Sequence, residues 1–372
     1  MAETYLVVLS LIVFLPVIGA IVLAFLPGDK PDVLRNFTLA ITAAVFLLTL
    51  LGLVDPFGWN SPTKFDAALG TMQTVFNVPW IPSFDIYYYM GLDGISFPLV
   101  VLTALVSFFS MWASWSITKH VKAYCILFLL LETGMMGVFM SLDFFLFYVF
   151  WEVMLLPMYF LIGVWGGPRR EYAAIKFFLY TLVGSVLMLV AILMLYFASD
   201  VRGLAEVAFK PEQSSFRFAW NELHVSPTVN AQIGLASTAT ATEDGALGFL
   251  RNGAKAESPL KIEFVSKADA AETSAAYDAE TNAVTVNLAK DKSTAADVLA
   301  AINLNPALAE VVAVALPSGA KGAGVIEPAN SLEIPAYTAG AKSHTFNLLA
   351  LAAMGQHTTQ FDGTYFGKTL QW

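Results

Sequence analysis

The sequence predicts an all-α polytopic membrane protein of six transmembrane helices, with a small α/β or α+β domain inserted outside the membrane. Hydrophobic residues make up 57% of the chain and charged residues only 13%, and the mean hydropathy is +0.65. A soluble domain has fewer apolar and more charged residues. The composition changes near residue 200, where long apolar runs give way to the Ala, Asp, Ser, Thr and Lys content of an ordinary soluble domain.

Six apolar segments reach the roughly 20 residues that a bilayer-spanning helix needs. No basic region precedes the first segment and further spans follow it, so we interpret it as a retained helix and not as a signal peptide. The predicted spans are 5–26, 33–54, 94–115, 123–141, 143–164 and 172–197.

The connections between the spans predict the orientation of the chain. Three of them carry basic residues and lie on one side: Lys30 and Arg35, then Lys119, His120 and Lys122, then Arg169 and Arg170. The opposite connection, 55–92, has Lys64 as its only base. By the positive-inside rule the basic loops are cytoplasmic, so the N-terminus and the residues after the sixth span are extracytoplasmic.

Beyond the spans, the pattern is that of a folded polar domain. KIEFVSK (261–267) and NAVTVNL (282–288) alternate as half-buried strands do. Thr294 with Asp297 forms a capping-box pattern that opens the predicted helix TAADVLAAIN. Asn305-Pro306 predicts the start of a second helix, PALAEVVAVAL. The predicted domains are therefore 1–200 in the membrane, 201–343 outside it, and a mildly apolar segment, 344–372, without a helix of spanning length.

Several classes of function find no support in the sequence. The net charge is −9 and no basic stripe suggests binding to nucleic acid. There is one cysteine, Cys125, and the four histidines are scattered without the spacing of metal ligands. No glycine-rich phosphate loop, nucleophile elbow or cofactor fingerprint occurs, so we expect no cofactor, metal or redox centre in this chain.

Two carboxylates inside predicted spans are the main candidates for function. Glu132 lies ten residues before Leu142, in the turn between spans four and five, and Glu152 lies ten residues after it. At 1.5 Å per residue, both lie about 15 Å from that turn, near the middle of the bilayer. The spacing leaves open whether the two side chains face each other.

An ionised carboxylate in the hydrocarbon region costs at least about 2.5 kcal/mol. It persists where a base compensates its charge or where it stays protonated, and both arrangements suit a proton relay. The alternative interpretation is a neutral glutamate that only hydrogen-bonds a neighbouring helix.

Three nearby residues are weaker candidates. Pro157 leaves the Val153 carbonyl without its helical partner, which either hydrates the region beside Glu152 or only kinks the helix. Lys176 is the nearest base within a span, about 10 Å from Glu152 along the membrane normal, and serves either as a relay or as a lysine that extends to the interface. Asp143 is expected to be solvated at the turn.

The amino-acid sequences of spans five and six resemble those of a known family. DFFLFYVFWEVMLLPMYFLIGVWGG (143–167) and REYAAIKFFLYTLVGSVLMLVAILMLY (170–196) resemble the M subunits of bacterial NADH–quinone oxidoreductase, the equivalents of mitochondrial chain 4 in respiratory complex I. MGLDGISFPLVVLTAL (90–105) resembles the third span of that family and PVIGAIVLAFLP (16–27) its first. The resemblance covers about 1–200.

This resemblance implies the N-terminal part of an antiporter-like fold and proton translocation driven by quinone reduction elsewhere in the complex. The essential glutamate of span five corresponds to Glu152 and the lysine of span six to Lys176, whereas Glu132 has no counterpart in the motif. FMN, iron–sulfur clusters and quinone are expected on other subunits. The implied partners are the L-, N- and K-type chains and the lipid of a bacterial inner membrane.

The sequence departs from the family pattern in two ways. HTFNLLAL (344–351) resembles the segment that follows span six in that family, so residues 201–343 are interpreted as an insertion. The chain stops at TLQW, where a seventh span with the partner lysine of Glu152 is expected. We therefore expect a truncated or split subunit, with a separate chain supplying the remaining spans and no pumping by this chain alone. Two alternatives remain: a membrane anchor that displays an external binding domain, and a Mrp-type cation/proton antiporter subunit.

Overall fold

The computed structural model divides the chain into two compact units, Met1–Met194 with Phe346–Leu348, and Leu195–Thr345 with Leu349–Trp372. The structure describes residues 2–58, 61, 63–67, 72–200, 209–210, 215–216, 235–237, 245–251, 255–256, 258–267, 272–289, 293–316, 320–326, 331–334, 337–338, 344–357, 363–365 and 368–370.

Within the part of the chain that the structure describes, six helices are long and apolar enough to cross a membrane, as the sequence predicts. Each forms because an uninterrupted apolar segment can satisfy its backbone groups only internally in lipid. The helices are α1 (Ala2–Phe25), α2 (Pro31–Thr49, continued by a π-helical turn over Leu50–Val54), α3 (Ser96–Ala113, then a 3-10 turn over Ser114–Ser116), α4 (Val121–Met140), α5 (Phe144–Trp165) and α6 (Arg170–Ala198).

The three basic loops meet at one end of the helices, as the sequence predicts. Lys122 donates from Nζ to the carbonyls of Ala24 and Leu26, both at 2.8 Å, and so satisfies the end of α1. Arg35 donates to the Ile117 carbonyl at 2.6 Å, and the Trp165 indole donates to the Lys119 carbonyl at 2.7 Å. We call this end the basic end and the opposite end the acidic end.

At the acidic end, the connection between α2 and α3 folds into a hairpin that the sequence analysis treated as a loop. Strand β1 (Gln73–Ile81) pairs antiparallel with β2 (Ile86–Leu92) around a 3-10 turn over Pro82–Phe84. The signal was present in the sequence, because β-branched and aromatic residues flank Pro82-Ser83-Phe84-Asp85 on both sides.

The hairpin is joined to the turn between α4 and α5. The Leu142 amide donates to the Tyr89 carbonyl at 2.9 Å, and Met90 forms a β-bridge with Ser141. On its other side the turn receives the segment Phe346–Leu348: the Phe144 amide donates to the Phe346 carbonyl and the Leu348 amide to the Leu142 carbonyl, both at 2.9 Å. The acidic end is therefore closed by a layer of paired backbone.

Helix α4 is the centre of the membrane unit, and it approaches α5 through glycines. A Cβ at Gly134 would lie 2.7 Å from the Cβ of Met154, and one at Gly137 would collide with the ring of Phe150. Small residues that let backbones approach are typical of helix packing in membranes. This packing fixes which face of each helix points away from the α4–α5 contact.

The second unit is a small α+β domain with its own apolar core. Strands β8 (Leu260–Lys267) and β10 (Ala283–Ala289), predicted from KIEFVSK and NAVTVNL, lie side by side and parallel, with β12 (Leu332–Ile334) beside β8 and β9 (Ser274–Asp278) beside β10. Helix α7 (Ala295–Asn303) begins with the predicted capping box of Thr294 and Asp297 and buries Val298 and Ile302 in the core. The elements are β3 (Phe209–Lys210), β4 (Ser215–Phe216), β5 (Leu235–Ser237), β6 (Gly248–Arg251), β7 (Lys255–Ala256), β8 (Leu260–Lys267), β9 (Ser274–Asp278), β10 (Ala283–Ala289), α7 (Ala295–Asn303), α8 (Pro306–Ala309), β11 (Val312–Ala315), β12 (Leu332–Ile334), β13 (Tyr337–Thr338), α9 (Leu348–His357), β14 (Gly363–Tyr365) and β15 (Lys368–Leu370).

The prediction of a second helix over PALAEVVAVAL is wrong beyond its first turn. Asn305 caps α8 as expected, but α8 ends at Ala309 and the valines that follow form β11, paired antiparallel with β6. β-Branched residues favour strands when a partner strand is available. The pairing with β6, which is distant in sequence, therefore overrides the local helical pattern.

The glycine contact between α4 and α5 gives a prediction about stability. Gly134→Ala should lower the free energy of unfolding by about 1–3 kcal/mol, because the new methyl group overlaps Met154 and α5 must move. Gly184→Ala on α6 is the matched control, since nothing lies within 4 Å of the added Cβ. Unfolding of the purified chain in mixed detergent micelles measures both variants, and equal stability of the two would contradict the packing described.

Candidate functional site

Glu152 lies in the middle of α5, half-buried. Its Oε1 atom is inaccessible and has no hydrogen-bond partner among the described residues. Tyr148, one turn earlier on the same helix, lies within side-chain hydrogen-bonding reach of Glu152 and of Ser185 on α6. The indole N–H of Trp151, beside Glu152, is also buried without a partner in the described part of the chain. Polar groups that need partners are therefore concentrated on one side of α5.

The face of α5 that carries Glu152 is turned away from α4. Phe150 and Met154 contact α4, and Glu152 lies two residues from each, which places it about 160° around the helix from both. The neighbouring Tyr148 reaches towards Ser185. Glu152 therefore faces α6, the span that buries the smallest share of its residues in this unit.

Glu132 occupies the opposite side of the α4–α5 contact. It is 0% exposed and both of its carboxyl oxygens lack partners among the residues that the structure describes. It shares a helical face with Cys125 and Leu129, which pack against α1, α2 and α3. The structure answers the question that spacing left open, because Glu132 and Glu152 point away from each other.

Lys176 lies on the exposed face of α6. Its Nζ is 5.8 Å from the centre of the Tyr172 ring, a cation–π distance, and apolar side chains such as Ile175 and Leu179 flank it. It forms no ion pair with Glu152. Pro157 is buried within α5, which continues as a helix through it.

Asp143 is not solvated, contrary to the expectation from its place in a turn. It is 1% exposed. Its carboxylate accepts from the amides of Phe145 at 2.9 Å and Leu146 at 3.1 Å, capping α5, and from the amide of Tyr87 at 3.2 Å. The residue lines a cavity of about 370 Å³ at the acidic end. Pairing with the hairpin excludes water from the turn, which sequence spacing does not reveal.

The protonation of Asp143 is controlled by two opposing effects. Burial raises the pKa of its carboxyl group to about 6, and the three amide hydrogen bonds lower it by a smaller amount. Asp85, at the hairpin turn, also has a pKa raised by burial, against which its hydrogen bond with Tyr87 acts.

Sequence reasoning missed Tyr148, Ser185 and the structural role of Asp143. The spacing of Tyr148 and Glu152, four residues apart on one helix, could have identified the first. Nothing local to Ser185 predicts its position, because it depends on how α6 packs. Among the described residues, no group of three or more His, Cys, Asp or Glu side chains could hold a metal ion.

Comparison with known proteins finds family matches over residues 37–236. Residues 37–142 match the family model of the amino terminus of NADH-ubiquinone oxidoreductase chain 4. Residues 141–236 match the transmembrane model named NADH:quinone oxidoreductase/Mrp antiporter. The two adjacent matches contain Glu132, Glu152 and Lys176, and the second extends beyond residue 201, the expected start of the insertion.

Individual relatives agree with the family models. NADH-quinone oxidoreductase subunit M of Rhodobacter capsulatus is 44% identical over 192 residues, which cover 50% of this chain and 35% of that protein. NADH-ubiquinone oxidoreductase chain 4 of Chondrus crispus is 41% identical over 191 residues, covering 51% and 37%. A chain of respiratory complex I from Thermus thermophilus aligns with 27% identity and a TM-score of 0.41, covering 61% of this chain and 43% of that one. The chain spans little more than a third of the length of these curated relatives.

The raised pKa of Asp143 gives a prediction with a definite sign. The folded state holds this proton more tightly than the unfolded chain, whose value is the ordinary 3.8. The contribution of Asp143 to the free energy of unfolding is therefore largest below that value and is lost as the pH rises to about 6.

Asp143→Asn should abolish this pH dependence while keeping an oxygen that caps α5. Asp143→Ala should also lose about 1 kcal/mol at every pH, because the cap is removed. Unfolding of the purified chain at a series of pH values measures both effects. A wild-type pH profile in Asp143→Asn would show that another group is responsible.

Proposed function

We propose that the chain is a membrane-arm subunit of the chain 4 and subunit M type of NADH:quinone oxidoreductase and that it contributes to proton translocation coupled to quinone reduction. The family matches over residues 37–142 and 141–236 and the similarity to the subunit M and chain 4 relatives support this proposal. The observation that carries the proposal is the position of Glu152. It is a carboxyl group in the middle of a span, with a buried unpaired oxygen and a tyrosine hydroxyl within reach. Electron transfer is assigned to other subunits, which would hold FMN, iron–sulfur clusters and quinone.

In this proposal Glu152 is the group that takes up and releases the proton. The arrival of a cation would drive the proton off the Glu152 carboxyl group, and its departure would allow a proton to return. Tyr148 would donate a hydrogen bond to the ionised carboxylate and hold it towards α6. Proton transfer would then follow the arrival and departure of positive charge at the Glu152 face of α5.

Lys176 and Pro157 would have supporting roles. Lys176 is a second candidate relay group, because its ammonium lies along α6, the span that Glu152 faces. Pro157 frees the Val153 carbonyl one residue after Glu152, and a water molecule bound there would give the carboxyl group a proton acceptor. We propose that Pro157 also kinks α5 at this point.

The partners and location follow from the same proposal. We propose that other membrane-arm chains of the L, N and K types cover part of the exposed apolar face of α6. The basic end would face the cytoplasm and the acidic end the opposite side of a bacterial inner membrane. Residues 1–200 would form the membrane domain, 201–343 an extracytoplasmic insertion and 344–372 a return to the family sequence.

A second candidate is a Mrp-type cation/proton antiporter subunit, since the family model over residues 141–236 includes both kinds of protein. The two candidates differ in their dependence on electron transfer. Proton movement that requires NADH and quinone supports the first, and proton movement driven by a sodium gradient without them supports the second.

Substitution of Glu152 tests the main proposal. In membranes that contain the assembled complex, Glu152→Gln should abolish NADH-driven acidification of inverted vesicles, because an amide cannot exchange a proton in this role. Glu171→Gln is the matched control, since Glu171 is exposed in the first turn of α6. Electron transfer to an artificial acceptor checks assembly, and normal acidification by Glu152→Gln would overturn the role of Glu152.

The insertion can be tested by removing it. The ends of the segment lie close together, since the Thr345 amide donates to the Ser199 hydroxyl at 3.1 Å and a His344 ring nitrogen is 2.7 Å from the Ser199 carbonyl. A short Gly-Ser linker can therefore replace 201–343. We expect the shortened chain to enter the membrane complex and to retain acidification. Loss of assembly would contradict a peripheral insertion.

A further inference from the structure

A second buried proton site centred on Glu132 is the inference that the structure supports beyond the proposed function. We propose that Glu132 holds an exchangeable proton and, with a bound water molecule, lies between α1, α2 and α4, separate from the Glu152 face. The proposal rests on three observations: two unpaired polar groups side by side, a helical carbonyl freed by a proline, and a buried stripe of threonines.

The first observation is that the polar groups of two consecutive residues are enclosed without partners. Both carboxyl oxygens of Glu132 and the hydroxyl of Thr133 are inaccessible and unpaired among the described residues. Thr133 is 2% exposed and Glu132 0%. A buried polar group without a hydrogen bond is costly, and a charged one more so. Glu132 is therefore neutral here, and both groups require a further hydrogen-bonding molecule.

The second observation is the position of Pro16 on α1. A Cβ at Gly19 would lie 3.0 Å from Ile41 and 3.2 Å from Leu129, so α1, α2 and α4 meet at this depth. Gly19 of α1 and Leu129 of α4 lie at the same depth, and the two helices run in opposite directions. Pro16 is three residues before Gly19 and Glu132 is three residues after Leu129, so Pro16 lies at the depth of Glu132. Pro16 is buried, and because it has no N–H it leaves the carbonyl of Ile12 without a helical partner.

This carbonyl supplies an acceptor where Glu132 supplies a donor. Ile12 is 0% exposed and lies four residues, about 6 Å, from the depth of Pro16. A water molecule between them would accept from the protonated carboxyl group and donate to the freed carbonyl. Bound waters in protein interiors are found where two to four otherwise unsatisfied polar groups converge.

The third observation is a polar stripe along the buried face of α2. Thr38, Thr42 and Thr49 are each 0% exposed. Their hydroxyls donate to helical carbonyls of α2, those of Leu34, Leu39 and Val45 respectively. The oxygen of each hydroxyl therefore keeps a lone pair that can accept from water. Aliphatic residues would fill this interface as well if it were only a packing surface.

The stripe passes Glu132 and continues to the acidic end of α2. The side chain of Cys125 is within interaction distance of Thr38, and Glu132 lies seven residues further along α4, which runs parallel to α2. Glu132 is therefore at the depth of Val45, between Thr42 and Thr49. Beyond Thr49 the π-helical turn exposes the Gly52 carbonyl, which accepts from Ser61 and Thr63, both at 2.8 Å. Such π-helical turns often occur at functional sites.

No charged side chain of the described residues competes with Glu132 at its depth. Arg35 lies ten residues from Val45 along α2, about 15 Å away, where it is paired with Asp32 at 2.9 Å. Glu152 is on the far side of α5. The proton on Glu132 therefore exchanges through water and the α2 hydroxyls, and the Glu152 site is not involved.

Infrared difference spectroscopy of the purified full-length chain in lipid nanodiscs tests the proposal. The C=O stretching band of a protonated carboxyl group should be present in the wild type and lost in Glu132→Gln. On transfer to D₂O the band should shift to lower frequency, because the carboxyl O–H becomes O–D and the original proton passes to the solvent. Glu152→Gln should retain the Glu132 band and its exchange.

Two further variants separate a hydrated site from a dry one. Thr42→Val should slow the exchange of the Glu132 band several-fold, because it removes one acceptor of the water. Thr103→Val is the control: the Thr103 hydroxyl also donates to its own helix, to the Leu99 carbonyl at 2.7 Å, but lies outside the buried stripe of α3. A Glu132 band that does not exchange, no band assignable to Glu132, or equal exchange rates in the two threonine variants would overturn the proposal.

This test is independent of the proposed function. It uses neither NADH nor quinone, so a failure at Glu132 leaves the assignment of Glu152 unaffected. Loss of acidification in Glu152→Gln likewise gives no information about Glu132.

Discussion

The first unit is organised by the absence of water as a hydrogen-bonding partner inside the bilayer. Backbone groups must be satisfied within the protein, which the six helices achieve along their length except at the carbonyls of Ile12 and Val153, freed by Pro16 and Pro157. The backbone groups at the helix ends need other partners. Lys122 donates to a carbonyl at the end of α1, and Asp143 accepts from an amide at the start of α5. The same constraint applies to buried hydroxyl groups, since those of Thr38 and Thr49 donate to carbonyl groups of their own helix.

Asp143 shows how this constraint couples distant parts of the chain. Its carboxylate caps α5 and also accepts from the hairpin at Tyr87, while its backbone forms a bridge with Asn347. Residues separated by about half of the sequence thus meet at one turn. The cost of burying the carboxyl group is offset by three amide donors, and the raised pKa of Asp143 indicates that the offset is incomplete.

The spans and their loops could be predicted from the sequence because hydropathy, length and basic residues are local properties. The strands β8 and β10 and the cap of α7 were predictable for the same reason. The hairpin over 73–92 also has a local signal, the β-branched and aromatic residues on both sides of Pro82-Ser83-Phe84-Asp85. The directions of Glu132 and Glu152 could not be predicted, because they depend on the contacts of Gly134 and Gly137 with α5. Strand β11 depends on pairing with β6, and the buried state of Asp143 on pairing with the hairpin.

The two intramembrane glutamates are chemically alike, but their surroundings suit different roles. Glu152 faces α6, which is mostly exposed, whereas half of the apolar stretch of α4 is buried. A partner chain or a moving cation can approach the Glu152 side, so the charge near this carboxyl group can change during a cycle. Glu132 is 0% exposed, so a cation cannot approach it from the surface of the unit as it can approach Glu152. The first position fits a group that responds to an external charge, and the second fits a group that only exchanges its proton with enclosed water. A carboxyl group of each kind, at the same depth but on opposite sides of the α4–α5 contact, gives the unit two proton-binding positions that need not be coupled to each other.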